Sequence, residues 1–316
     1  MTWGRRHVLD TDDWSREEIE TVLAQTRAMT EILQRPIRRA PPLRGRTVIL
    51  FFAEASTRTR VSFELAAKAL SADVTNITAS GSSVEKGESL LDTARTLEAL
   101  GGDVIVMRHA SSGAPYFVAQ RTDAAVINAG DGWHAHPTQG LLDAYTLRDA
   151  LGSLEDRRIV IVGDVLHSRV ARSDINTLVP LGSSVTLSGP ATLIPAAWRC
   201  GQLPAGVAYE PELDRALDGA DGVIALRLQR ERQESGLLPS LREYSRLWGL
   251  TPERVARMVP GAPVMHPGPM NEGIEIDAAV AHGARSLIET QVTNGVAVRM
   301  ALLYLLAATS PLEDRP

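Results

Sequence analysis

Short apolar runs rich in β-branched residues alternate along this chain with amphipathic stretches of helical period. That alternation limits the fold more than any other feature. Strand-like runs lie at residues 47–52, 74–77, 104–107, 125–128, 159–162, 184–187, 222–225 and 263–265. Helical patterns fill residues 61–70, 88–100, 137–150, 169–179, 251–258 and roughly 286–308. Runs too short to be helices, each followed by a helix, predict parallel sheets flanked by helices. At the N-terminus Ser15 and Glu18 form a capping-box pattern, and Ile19, Val22, Leu23, Met29, Ile32 and Leu33 continue one apolar face. Pro36, Pro41 and Pro42 then break the chain before the first strand.

A length of 316 residues is enough for about two domains. Gly152 and the charged cluster up to Arg157 mark a break, so the expected division is a first domain over 1–150 and a second over 151–285. The final helix, within 286–316, is expected to pack back onto the first. The expected class is therefore α/β, two domains each with a mostly parallel sheet. In open sheets of this kind, sites lie outside the carboxyl ends of the strands.

Composition excludes several function classes. Hydrophobic and charged contents of 44% and 22% describe a globular chain, and a net charge of -5 argues against a nucleic-acid binder. A lone cysteine, Cys200, rules out an intrachain disulfide and a thiolate metal site. The charged N-terminus lacks the apolar core of a signal peptide. No apolar run approaches the ~18 residues of a membrane span, and Arg299 interrupts the best candidate. The expected compartment is the cytoplasm. Of 33 basic residues only Lys68 and Lys86 are lysines, which draws attention to both.

The chemistry-bearing residues cluster where strands end. Phe51-Phe-Ala-Glu-Ala-Ser-Thr-Arg-Thr-Arg60 passes from a strand into a helix. Free N–H groups and the dipole at a helix start favour an anion, Ser56, Thr57 and Thr59 add hydroxyls, and Arg58 adds a planar fork. Alone, this segment is also compatible with an ordinary helix cap. Arg108, leaving the 104–107 strand, either holds the same phosphate, polarises a carbonyl or simply pairs with a surface carboxylate.

His134-Ala-His-Pro-Thr-Gln139 opens the next helix, with Pro137 in its first turn. Two histidines two residues apart raise the possibility of a metal, but no third ligand of suitable spacing is evident, so no metal is expected. His136 and Gln139 suit donation to a carbonyl that becomes an oxyanion. Residues 81–88 form a polar, glycine-bounded loop whose Lys86 suits a mobile charge closing over an anion.

In the second half, Gly163-Asp-Val-Leu-His-Ser-Arg169 lacks a dinucleotide-binding glycine pattern. Arg169, Arg227 and Gln229 suit bidentate grip of the carboxylates of a dianion. Met265-His-Pro-Gly-Pro-Met270 leaves carbonyls exposed to an amine, and its Gly268–Pro269 bond is a candidate cis peptide.

In this order the motifs S-T-R-T, H-P-T-Q, R-x-Q-x-E-R and H-P-G-P resemble the catalytic chains of the aspartate carbamoyltransferase family, over nearly the whole length. The resemblance implies a carbamoyl-phosphate domain and an aspartate domain with the active site in the cleft between them. It also implies a homotrimer whose sites are shared between subunits, and the early step of pyrimidine biosynthesis that makes N-carbamoyl-L-aspartate. It leaves regulatory chains and an associated dihydroorotase open, and it implies no cofactor.

Carried over, Ser56, Thr57, Arg58 and Thr59 bind phosphate. Arg108, His136 and Gln139 address the carbonyl and amide, with Arg108 also reaching phosphate. Ser82, a better match than Ser83, and Lys86 come from a neighbouring subunit, Lys86 reaching aspartate as well. Arg169, Arg227 and Gln229 hold the aspartate carboxylates, and Gly268 and Pro269 orient the carbamoyl amide. Arg58, Thr59, Arg108 and His136 are the implied catalytic set.

The chain departs from the family pattern at Glu272, where arginine is common. Two rivals remain in view: a carbamoyltransferase for ornithine, and a catalytically silent chain of the same fold. Thr138 and Gly268-Pro269, where ornithine enzymes usually show H-P-C-Q and H-C-L-P, weigh against the first. The presence of every ligand named weighs against the second.

Overall fold

The computed structural model describes residues 3–78, 89–228 and 240–308. Its elements divide into two compact units: residues up to Leu141 together with those from Val292, and residues Leu142–Gln291. The borders fall inside two helices, so neither coincides with the expected breaks at 150 and 285.

The first unit begins with α1 (Arg16–Leu33), whose capping box is complete: Ser15 Oγ accepts from Glu18 N, and the Glu18 carboxylate accepts from Ser15 N. It continues through β1 (Thr47–Phe52), α2 (Thr57–Ala69), β2 (Asp73–Thr78), α3 (Leu90–Ala99), β3 (Val104–His109), α4 (Ala114–Ala119), β4 (Ala125–Asp131) and the start of α5 (Pro137–Leu151). The strands form a parallel sheet in the order β2-β1-β3-β4. Val48 to Phe52 are all buried, as an apolar run covered on both faces must be. One face packs Ile49, Phe51, Ile105, Met107 and Val126 against Leu97 and Val118. The segment before α1 lies parallel to β4, with Val8 N donating to Val126 O and Asn128 N to Val8 O, each at 2.8 Å.

The second unit contains β5 (Arg158–Val162), α6 (Arg169–Leu178), β6 (Ser184–Ser188), α7 (Ala196–Arg199), β7 (Val207–Tyr209), α8 (Leu213–Leu217), β8 (Gly222–Ala225), α9 (Leu241–Trp248), α10 (Pro252–Val255), β9 (Val264–Met265) and α11 (Ala278–Ala281). Its sheet is also parallel, in the order β7-β6-β5-β8-β9. The α/β class with parallel sheets is as the alternation predicts. The final helix, α12 (Ile288–Ala308), belongs to the first unit from Val292 onward. There Arg299 is buried, donates to Ser62 Oγ at 2.8 Å and lies over the Phe63 ring.

One expectation overshoots. The helix expected at 251–258 is a single turn, Pro252–Val255, capped by Thr251 and closed by non-helical turns up to Met258. Among the described residues, no helix is long and apolar enough to cross a membrane.

Candidate functional site

In the first unit the chemistry sits at the carboxyl ends of three neighbouring strands. β1 leads into Ser56, the extended N-cap of α2, whose hydroxyl makes no capping bond and whose first turn contains no acid. That end presents N–H groups and a positive dipole without an internal carboxylate to neutralise them. Thr57 and Arg58 are exposed there, and Thr59 is buried.

Next to it, Phe52 pairs with Arg108 in the β1–β3 register. Ala53 N donates to Arg108 O at 2.9 Å, and the Arg108 guanidinium meets Glu54 Oε1 at 2.6 Å. Sequence reasoning passed over Glu54. A carboxylate between a buried strand and an arginine-bearing helix start was its one visible signal. β3 and β4 fall out of register between Met107 and His109, and Arg108 Nη1 donates to Ala129 O on the looser strand. The guanidinium is thereby oriented from two sides.

β4 delivers the third group. Gly130, near its end, and Gly132, at its exit, both have positive φ; a side chain at Gly132 would also collide with Ser112. The buried His136 and Gln139 then bracket the start of α5, and the Thr138 hydroxyl stands 3.5 Å from His136 Nδ1. His134 is held by carboxylates. Asp131 lies 3.1 Å from its Nδ1, and Asp10 lies 3.4 Å from its Nε2. Among the described residues, no group of three or more His, Cys, Asp or Glu is arranged to hold a metal ion.

The second unit repeats the layout on β5, β8 and β9, again neighbours. After β5, Asp164 accepts from His167 N and meets His167 Nδ1 at 2.8 Å; Ser168 caps α6, and Arg169 is its buried first residue. After β8, Leu226 N bonds Val162 O at 2.8 Å and Arg227 follows, half-buried. After β9 the Gly268–Pro269 peptide is cis.

That last exit is pinned by a network that sequence reasoning did not find. His266 N donates to Gln291 Oε1, Gln291 Nε2 donates to Asp143 Oδ1 at 2.7 Å, and Gly268 N donates to His266 Nδ1 at 2.8 Å. The Glu275 carboxylate meets His266 Nε2 at 3.3 Å and accepts from Asn271 N and Nδ2. At the other end Asp174 is fully buried with no hydrogen-bond donor to either oxygen. Burial, and then the neighbouring Asp143 carboxylate, raise its pKa well above the usual range. Glu272 stands apart from this network, exposed, with its carboxylate 3.1 Å from His282 Nε2. Ser82, Lys86 and Gln229 lie outside the described residues.

Two family models match: "Aspartate/ornithine carbamoyltransferase, carbamoyl-P binding domain" over residues 6–149, and the corresponding "Asp/Orn binding domain" over residues 155–306. The chain belongs to the aspartate/ornithine carbamoyltransferase family. Within it, the chain is 60% identical over 309 residues to the aspartate carbamoyltransferase catalytic subunit of Chloroflexus aggregans, covering 97% of this chain and 100% of that one. The aspartate transcarbamoylase of Trypanosoma cruzi, solved with carbamoyl phosphate and aspartate, superposes with a TM-score of 0.84 at 29% identity, over 94% of this chain and 95% of the other. The ornithine carbamoyltransferase of Pyrococcus furiosus gives 0.87 at 25% identity, over 98% and 100%. Fold similarity alone therefore does not separate the aspartate and ornithine branches of the family. Identity to the aspartate catalytic subunits does.

Proposed function

We propose that this chain transfers the carbamoyl group of carbamoyl phosphate to the amine of L-aspartate, giving N-carbamoyl-L-aspartate and phosphate, an early step of pyrimidine biosynthesis. The observation that carries this reading is the 60% identity to an aspartate carbamoyltransferase catalytic subunit along that relative's whole length. The anion-receptive start of α2 and the residues beside it agree with it.

Ser56, Thr57, Arg58 and Thr59 bind the phosphate, and Arg108 bridges phosphate and carbonyl. The neutral amine attacks the carbamoyl carbon, the carbonyl oxygen gains charge, and collapse of the tetrahedral species expels phosphate, which takes the amine proton. His136 and Thr59 donate to the oxyanion; removing one such donor typically costs ~2.7–4 kcal/mol, or ~100–1000-fold in rate. Gln139, the Gly268 carbonyl and Pro269 orient the carbamoyl amide. Arg169, Arg227 and Gln229 grip the aspartate carboxylates, and holding both substrates supplies the remaining advantage through proximity.

Ser82 and Lys86 complete the site from a neighbouring subunit of a cytoplasmic homotrimer, Lys86 serving both substrates. The test is product formation from carbamoyl phosphate with L-aspartate and with L-ornithine in parallel. Carbamoyl-aspartate alone is expected. Citrulline, or no product from folded protein that binds phosphate, refutes the reading.

A further inference from the structure

His134 lies two residues before His136 and is not used by the chemistry above. Both ring nitrogens face carboxylates on different segments: Nδ1 lies 3.1 and 3.3 Å from the Asp131 oxygens, and Nε2 lies 3.4 Å from Asp10 Oδ2. Neither carboxylate is a loose surface group. Asp131 is fully buried and accepts from Gly113 N, Asn128 Nδ2 and Ala135 N, which ties the end of β4 to the start of α4. Asp10 is buried, accepts from Thr11 N at 2.7 Å, and ends the segment that runs along β4. Between Asp131 and Ala135 the backbone closes on itself, with Asp131 N donating to Ala135 O and His134 N to Asp131 O. His136 is the next residue.

We propose that Asp10, His134 and Asp131 form a clasp that positions His136, and that the clasp is closed only while His134 is an imidazolium. The chemistry follows from proton count. An imidazolium donates from both nitrogens, one to each carboxylate. A neutral ring has one N–H, so its other lone pair must face a carboxylate oxygen.

The groups facing His134 are Asp10, Asp12 and Asp131, with the Tyr116 ring edge-on at 5.8 Å. The hydrogen bond to Asp131 and the surrounding acids raise the His134 pKa above its ordinary value, against its own burial. Burial raises Asp10 to about 6. Burial and then the nearby acids push Tyr116 upward, so its hydroxyl stays neutral. With His134 protonated and both carboxylates ionised, the clasp carries one cation between two anions. This inference deepens the role given to His136 and rests on that reading.

Three measurements on the full chain test it. The first is NMR titration of the His134 ring. An apparent pKa above 6.5 that drops by about 1 unit in Asp10→Asn is expected, from loss of one neighbouring charge; a value at or below 6.5 overturns the clasp. The second is the kcat–pH profile. Asp10→Asn should move the alkaline limb to lower pH, whereas a merely structural Asp10 lowers activity without moving it. The third is His134→Asn, in which kcat should fall by up to about 100-fold with the KM for aspartate little changed. Unchanged kcat in folded protein overturns the positioning role. His136→Ala separates the two readings. If it leaves kcat intact, the role of His136 fails while the NMR titration still judges the clasp.

Discussion

Asp174 offers a sharp test of how the second unit is held. Its carboxyl is completely buried, both oxygens lack a donor, and its neighbour Asp143 already accepts from Gln291. Two ionised carboxylates cannot share such a site, so the folded pair holds one proton that an unfolded pair would release above the ordinary carboxylate range. The folded pKa is raised. Stability from this proton is therefore full below the unfolded value of about 3.9 and is lost as pH rises toward the folded one. Between those two values the slope is about 1.4 kcal/mol per pH unit.

Asp174→Asn replaces the shared proton with an amide N–H that donates to Asp143 and does not titrate. The assay is denaturant unfolding of the wild type and the variant at pH 6, 7 and 8. Titrations elsewhere cancel in the difference, which should widen in the variant's favour as pH rises. Asp143→Asn should reduce the slope without abolishing it, because burial, the larger cause, still acts on Asp174. A difference that stays constant with pH would refute the shared proton.

Other outcomes follow from single contacts. Ser15→Ala removes the hydroxyl half of the α1 capping box and should cost ~1 kcal/mol, read as a lower unfolding midpoint with activity retained. Arg299→Met removes a buried cation from Ser62 Oγ and the Phe63 ring; a loss of about 2–3 kcal/mol is expected from the charged hydrogen bond, measured by thermal unfolding. Glu54→Gln weakens the 2.6 Å tether on Arg108 and should raise the KM for carbamoyl phosphate at unchanged fold, checked by steady-state kinetics. Inactive Lys86→Ala and Arg58→Ala chains, co-assembled, should regain partial activity; mixed assemblies without any would place Lys86 in its own subunit's site or in none.

What could be read from the sequence was what the chain writes locally. β1 and β5 were visible because strands buried on both faces need unbroken apolar runs. The groups at their ends were visible because hydroxyls and guanidiniums at a strand exit contradict that pattern. β7 was not, since three residues carry no period, and neither were the short helices α4 and α8. The single turn at Pro252–Val255 looked longer because apolar spacing continues to Met258, which is buried without being helical. The groups that support the candidate ligands escaped for a different reason. Arg299 meets Ser62 across 237 residues and Gln291 meets Asp143 across 148, and no local pattern marks such pairs.

The two units meet one physical demand in different ways. Each bears its candidate ligands on irregular backbone beyond three adjacent parallel strands, where the sheet no longer satisfies the polar groups and something else must fix them. In the first unit that is charge: Glu54 on Arg108, and Asp10 with Asp131 on His134. In the second it is a hydrogen-bonded chain from Asp174 and Asp143 through Gln291 to His266. Both depend on a proton that is held more tightly in the folded chain. His134 contributes fully below about 6.5 and loses its contribution as pH rises through its raised folded value, the same sign as Asp174. Alkali therefore loosens both sets of ligands, whereas acid below about 6 neutralises Asp10 and removes one arm of the clasp alone. An alkaline fall in activity should consequently come with a fall in stability, and Asp174→Asn should remove part of the second without moving the His134-controlled limb of the first.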